Sequence, residues 1–199
     1  MIKVNPNPLQ QVIMQVHLIR HTSPDIATGI CYGQSDVPLA KSFETEKNLI
    51  IKQLDSKYDA VISSPLSRCT ILAQQIATQD YQTDTRLLEM DFGAWELQNW
   101  NDIAPEQLNL WTNDFVNIRV EAGESFILMY QRVVAFIEEL VANSYEKVAI
   151  VTHAGVIRIF WAWILEIPLQ NVFRLHVGYG DVYRVNLNLQ KDYCSVGFK

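Results

Sequence analysis

The apolar run Val16-His17-Leu18-Ile19 stops at an arginine and a histidine, Arg20-His21. A second apolar run, Val148 to Val151, stops at Thr152-His153-Ala154-Gly155. Two strands that each end in a histidine, one beside an arginine and one before a glycine, suggest an anion site that holds a nucleophile. A neutral imidazole can attack phosphorus and form a covalent intermediate that water later hydrolyses. His21 is the candidate nucleophile. His153 is the candidate second imidazole, stabilising charge on the transferring phosphoryl oxygens. Arg20 and Arg68 are the candidate phosphate clamp, because a guanidinium meets phosphate oxygens in a bidentate fork and stays charged. An alkyl phosphate also needs a carboxylic acid to protonate its leaving alkoxide. Three acids compete in the stretch Leu87 to Glu96, namely Glu89, Asp91 and Glu96, and periodicity does not choose among them.

Other routes to phosphate chemistry find little support. No cysteine is followed six residues later by arginine, as a cysteine-based phosphatase loop requires. No Walker A glycine loop, G-x-S-x-G elbow or H-E-x-x-H pair occurs. Carboxylate clusters suited to two metals are also missing, so neither a metal nor another cofactor is expected.

The elements that must position these residues alternate. Gln15 to Ile19, Ala60 to Ile62 and Lys147 to Val151 read as buried strands. Ser42 to Leu54, Pro105 to Phe115, Gly123 to Asn143 and Ala154 to Leu165 read as helices. Ser63-Ser64-Pro65 reads as a helix start, with a hydroxyl cap and a proline in the first turn, and that helix runs to about Ala77. The tail, His176 to Gly178 and Val182 to Leu187, reads as one or two strands, the last antiparallel. Strands alternating with helices imply an α/β fold, a mostly parallel sheet with helices on both faces. Ligands in such sheets bind beyond the carboxyl ends of the strands. His21, Arg68 and His153 all fall just after such an end.

Composition sets the frame. The chain has 199 residues, 49% apolar, with a formal net charge of −6. A single domain over residues 15–199 with a flexible lead-in at 1–14 is expected, and Met14 competes with Met1 as the physiological start. The negative charge argues against a nucleic-acid partner. No apolar run is long enough for a membrane span, and no targeting segment is visible. Cys31, Cys69 and Cys194 are scattered, which fits reduced thiols in a cytoplasm. The partner is then a small phosphate monoester, and the protein a monomer or homodimer. Trp161 and Trp163 read as packing or an oligomer surface; Trp95, Trp100 and Trp111 are the set that could wall a pocket. His17 and His176 read as structural.

Taken in order, these segments resemble the histidine phosphatase superfamily, the phosphoglycerate mutase-like group. Leu18-Ile19-Arg20-His21-Thr22 resembles its R-H-G box. Ser63-Ser64-Pro65-Leu66-Ser67-Arg68-Cys69-Thr70 resembles its S-S-x-L-x-R-A-x-x-T box. Leu88 to Glu96 resembles the loop that bears the proton donor, Gly123-Glu124-Ser125 with Arg132 the G-E-S…R helix start, and Val151 to Gly155 the final histidine box. The resemblance implies a three-layer α/β/α sandwich and a metal-independent phosphomonoesterase working through phosphohistidine. It assigns His21 as nucleophile, Arg20, Arg68 and His153 to the phosphoryl group, and Glu89, over its two neighbours, as acid and then base. Two features depart from the pattern: Thr22-Ser23-Pro24 stands where G-E-T is usual, and Ala27 and Thr28 occupy the region of a phosphate-holding asparagine. Within the superfamily, Ile30 to Leu39 and Met90-Asp91-Phe92-Gly93-Ala94-Trp95-Glu96 are most similar to the α-ribazole phosphatases of cobalamin nucleotide-loop assembly. Thr22 and Gln34 are further candidate substrate-binding residues. The alternatives are a broad-specificity or sugar-phosphate phosphatase, a phosphoglycerate mutase, and a non-catalytic binding protein on the same fold.

Overall fold

The computed structural model describes residues 13–188 and 194–197. Six strands among them form one sheet: β1 (Met14–Arg20), β2 (Ala60–Ser63), β3 (Gln82–Thr83), β4 (Lys147–Thr152), β5 (Val182–Leu187) and β6 (Ser195–Gly197). Their spatial order is β3-β2-β4-β1-β5-β6. β4 lies parallel to both β1 and β2, and β2 parallel to β3, whereas β5 runs antiparallel to β1 and β6 antiparallel to β5. β1 and β4 are central, with helices over both faces, so β4 is apolar without a break from Val148 to Val151 and β1 is buried from Val16 to Ile19, His17 included.

Five α-helices among the described residues complete the layers: α1 (Phe43–Ile51), α2 (Ser67–Ile76), α3 (Pro105–Asn113), α4 (Phe126–Val141) and α5 (Ala154–Leu165). On one face, Ile50 of α1 and Cys69, Leu72, Ala73 and Ile76 of α2 pack on Ile19, Val61, Ala149 and Val151. On the other, α4 and α5 pack on Val16, Leu18, Ile62, Val148 and Ile150. The result is the three-layer α/β/α sandwich with a mostly parallel sheet. Trp161 and Trp163 are buried in it, so they are packing residues. His17 is buried too, its Nδ1 against the Tyr58 hydroxyl.

Several boundaries differ from the expectation. α2 opens at Ser67, not at Pro65. Ser63 is still in β2, and the Ser64 N–H donates to Val151 O at 2.9 Å, so the sheet holds both serines. The cap comes instead from a distant loop: Asp36 Oδ1 accepts from the Ser67 N–H at 3.0 Å and from its hydroxyl at 2.7 Å. α4 opens at Phe126 rather than Gly123, because Glu124 donates its N–H to Asp91 O at 2.9 Å and ties the preceding turn to the 89–93 loop. His176 to Gly178 is not a strand; His176 is exposed, and its carbonyl accepts from Tyr183. Of the lead-in expected at 1–14, residues 1–12 lie outside the described residues. Met14 is already paired with Leu187 and buried, so it belongs to the sheet.

Candidate active site

The carboxyl ends of β1, β2 and β4 face one cavity of about 240 Å³, lined by Arg20, His21, Ile30, Tyr32, Arg68, Glu89, Trp100, His153 and Tyr179. β1 delivers Arg20 and His21. β4 delivers His153, which is also the residue preceding the first turn of α5. The first turn of α2 delivers Arg68. Arg20, His21, Arg68 and His153, picked out on chemistry, and Glu89, chosen among three acids by the resemblance, therefore meet at one place.

His21 is nearly fully buried, at 2% exposure. Its Nδ1 lies 2.7 Å from the Thr22 carbonyl oxygen. A carbonyl only accepts, so Nδ1 carries the proton and the lone pair of the neutral ring is on Nε2. Burial lowers the His21 pKa well below the ordinary histidine value, and the charges of Arg68 and Arg20 lower it further, against the Thr22 hydrogen bond. The neutral, nucleophilic form is thus favoured. His153 is buried with its ring centroid 5.1 Å from that of His21 and its Nε2 2.8 Å from Ser64 Oγ. Burial lowers its pKa as well, followed by the repulsion that two protonated rings, His153 and His21, would suffer and by the charge of Arg68.

The two arginines carry no carboxylate partner among the described residues. Arg68 is fully buried and donates to Ser35 O at 2.8 Å and Gly33 O at 2.5 Å. Arg20 donates to Val177 O at 2.7 Å. The Nε–H of each is buried without a hydrogen-bond partner among the described residues. A buried donor left unpaired costs about 1–3 kcal/mol. Two cations without carboxylate partners on one cavity wall make it a candidate anion site.

Glu89 is the one of the three competing acids that lines the cavity. Its Oε1 accepts from the Met90 N–H at 3.0 Å and its Oε2 from the Gly155 N–H at 3.1 Å. A Cβ at Gly155 would lie 2.2 Å from Glu89 Oε1 and would displace the carboxylate from this position. Asp91 accepts from Gly93 N–H instead. Glu96 accepts backbone N–H groups from Gly33, Gln34, Ser35 and Phe92. Burial would raise the Glu96 pKa, but hydrogen bonds from Ser35, Gly33 and Gln34 outweigh it and hold the pKa below the ordinary value. Glu96 therefore fixes the turn whose carbonyls orient Arg68. Gly33 sits so tightly in that turn that a Cβ would be 1.8 Å from Met90 O.

Thr22 and Gln34 do not line the cavity. Thr22 is buried and contributes its carbonyl to His21, while its hydroxyl has no partner among the described residues. Gln34 Nε2 donates to Glu89 O at 3.1 Å, which positions the acid's backbone. Arg132 does the same from the other side, donating to Arg86 O, Leu88 O and Glu89 O while pairing with Glu124 at 2.6 Å. Sequence reasoning missed Tyr32, Tyr179 and Ser64 as contributors. Tyr179 has one local signal, its place between Gly178 and Gly180; Tyr32 and Ser64 sit inside boxes read for other residues.

Among the described residues no group of three or more His, Cys, Asp or Glu side chains is gathered to hold a metal ion. No helix of the described residues is long and apolar enough to cross a membrane.

A model of the histidine phosphatase superfamily (branch 1) matches residues 16–195. The adenosylcobalamin/alpha-ribazole phosphatase of Escherichia coli is 28% identical over 186 residues, covering 88% of this chain and 91% of that protein. Phosphoserine phosphatase 1 of Hydrogenobacter thermophilus is 25% identical over 166 residues, covering 79% of each. The crystal structure of the alpha-ribazole phosphatase from Shigella flexneri superposes with a TM-score of 0.84 at 26% identity, covering 92% of this chain and 95% of that one.

Proposed function

This chain belongs to branch 1 of the histidine phosphatase superfamily and is a phosphatase, and on that premise we propose that it hydrolyses α-ribazole 5′-phosphate through a phosphohistidine at His21. The observation that carries the mechanism is the protonated Nδ1 of His21, held by the Thr22 carbonyl, beside two arginines without carboxylate partners. Arg20, Arg68 and His153 bind the phosphoryl oxygens. His21 Nε2 attacks phosphorus as the P–O bond to the alcohol breaks. Glu89, entering as the carboxylic acid, gives its proton to the leaving oxygen. The phosphorylated ring keeps its Nδ1 proton, and the Thr22 carbonyl stabilises the resulting positive charge. Water then attacks phosphorus and loses a proton to the Glu89 carboxylate. The P–N bond breaks, phosphate leaves and His21 returns neutral. No step calls on a metal ion.

The substrate assignment draws on the likeness to the proteins of Escherichia coli and Shigella flexneri named above. It is tested by phosphate release from α-ribazole 5′-phosphate beside sugar phosphates, phosphoglycerates, phosphoserine and nucleotides, with EDTA present and His21→Ala as control. A kcat/KM for α-ribazole 5′-phosphate well above the rest is expected. Activity spread evenly over the panel would leave a general phosphatase, and a loss in EDTA restored by added metal would overturn the metal-free mechanism.

A further inference from the structure

The cavity lining falls into two chemical sets: Arg20, His21, Arg68, Glu89 and His153, and beside them Ile30, Tyr32, Trp100 and Tyr179, none of them charged. The uncharged set is built firmly. Ile30 bridges Asn99, and the Trp100 N–H donates to Gly29 O at 2.9 Å, so paired backbone segments carry the two side chains. Phe92, Trp95 and Trp111 pack on Trp100, with ring centroids 5.5, 6.1 and 6.1 Å away. Tyr179 lies over the Arg20 guanidinium at 3.7 Å and Tyr32 over that of Arg68 at 5.5 Å, and their hydroxyls are hydrogen-bonded to each other. Cation–π contact holds each tyrosine ring against its arginine.

Resting on the phosphatase reading above, we infer that Trp100, Ile30 and the Tyr32–Tyr179 bridge form a specificity subsite for phosphate monoesters whose alcohol carries an uncharged planar ring. The phosphoryl group engages both cavity arginines. A substrate carboxylate would then find no further cation on the cavity wall and would face Glu89. Arg158, the next cation, donates to Leu175 O at 3.1 Å and lies over the Phe173 ring rather than lining the cavity. An indole face offers a flat ring dispersion and quadrupole contact that a saturated or charged group cannot match.

The test compares benzyl phosphate, ethyl phosphate and phosphoserine, all esters of primary alcohols, in wild type, Trp100→Ala and Trp100→Phe. Stacking acts on ground state and transition state alike, so it is read in KM rather than kcat. Benzyl phosphate should exceed ethyl phosphate and phosphoserine in kcat/KM by roughly tenfold in wild type. Trp100→Ala should shrink that preference to under about twofold through KM, and Trp100→Phe should keep most of it. An unchanged ratio in Trp100→Ala, or a wild-type preference for phosphoserine, overturns the subsite. Binding of benzylphosphonate against ethylphosphonate to the wild-type protein, by calorimetry, gives an answer independent of turnover and of how the variants fold; equal affinity overturns the subsite. Absence of turnover on every ester would instead sink the phosphatase reading and leave the subsite to the phosphonate result.

Discussion

Two pairs of arginines in this molecule are held in opposite ways. Arg86 ends on Asp84 at 2.6 Å and Glu139 at 2.7 Å, and Arg132 ends on Glu124 at 2.6 Å. Arg20 and Arg68 end on backbone carbonyls and tyrosine rings, and each keeps a buried Nε–H unpaired. The first pair is locally neutralised and does structural work: Arg132 grips the carbonyls of Arg86, Leu88 and Glu89 and so sets the loop that carries the acid. The second pair leaves positive charge undischarged beside two neutral, buried histidines. Residue type does not distinguish the pairs; the partners do. A cation whose charge the protein itself leaves unmatched is available to a ligand, and one already paired is available only to the fold.

The largest effect should separate the pairs directly. Arg68→Gln is expected to lower kcat/KM by roughly 10³-fold, because it removes a charged donor that the transferring phosphoryl group needs. It should also remove the rise in melting temperature that inorganic phosphate gives the wild type, since a ligand stabilises only the state that binds it. Arg86→Gln should cost only about 1 kcal/mol of stability, as exposed ion pairs are weak, with activity and phosphate protection retained. Similar losses of activity in both variants would erase the distinction.

A smaller effect sharpens the role of Glu89, whose backbone Arg132 and Gln34 hold. Glu89→Gln should cost roughly 10²–10⁴-fold on alkyl phosphates, whose leaving group needs a proton. On p-nitrophenyl phosphate, whose leaving group needs none, the loss should stay under about tenfold. Equal losses on the two substrates would remove Glu89 from the acid role.

The smallest effect is thermodynamic. His21 and His153 both have folded-state pKa values lowered by burial and neighbouring cations. Below the unfolded histidine pKa of about 6.5 the unfolded chain takes up protons that the folded chain refuses, so stability falls as the pH drops. Each histidine contributes up to about 1.4 kcal/mol per pH unit in that window. Urea unfolding followed between about pH 6.5 and 5 should show a shallower decline in His21→Asn than in wild type. Parallel declines would mean that His21 titrates alike in both states.

Much of this arrangement was legible in the chain. The runs ending at His21 and His153 are central strands buried on both faces and largely apolar, and such runs advertise their own ends. The α/β/α layering followed from their alternation with helices. The candidate acid was less legible: Glu89, Asp91 and Glu96 share a loop of irregular turns, and it takes tertiary hydrogen bonds to send Glu96 to the Gly33–Ser35 turn and Glu89 to Gly155, while Asp91 closes a local turn on Gly93. The start of α2 was misread for a similar reason. Ser63-Ser64-Pro65 has cap chemistry, but the sheet and His153 claim the serines, and the cap is Asp36, thirty-one positions away. Tyr179 reaches Arg20 and His21 through a loop anchored by the Gly180 N–H on His21 O, a long-range contact that no local pattern encodes.

The most direct measurement is rapid acid-free denaturing quench of the enzyme with ³²P-labelled substrate, followed by mapping of the label in wild type, His21→Ala and His153→Ala. Acid-labile, base-stable label on His21, absent in His21→Ala, is the expected result. Label retained by His21→Ala, or mapped to His153, would contradict His21 as the nucleophile.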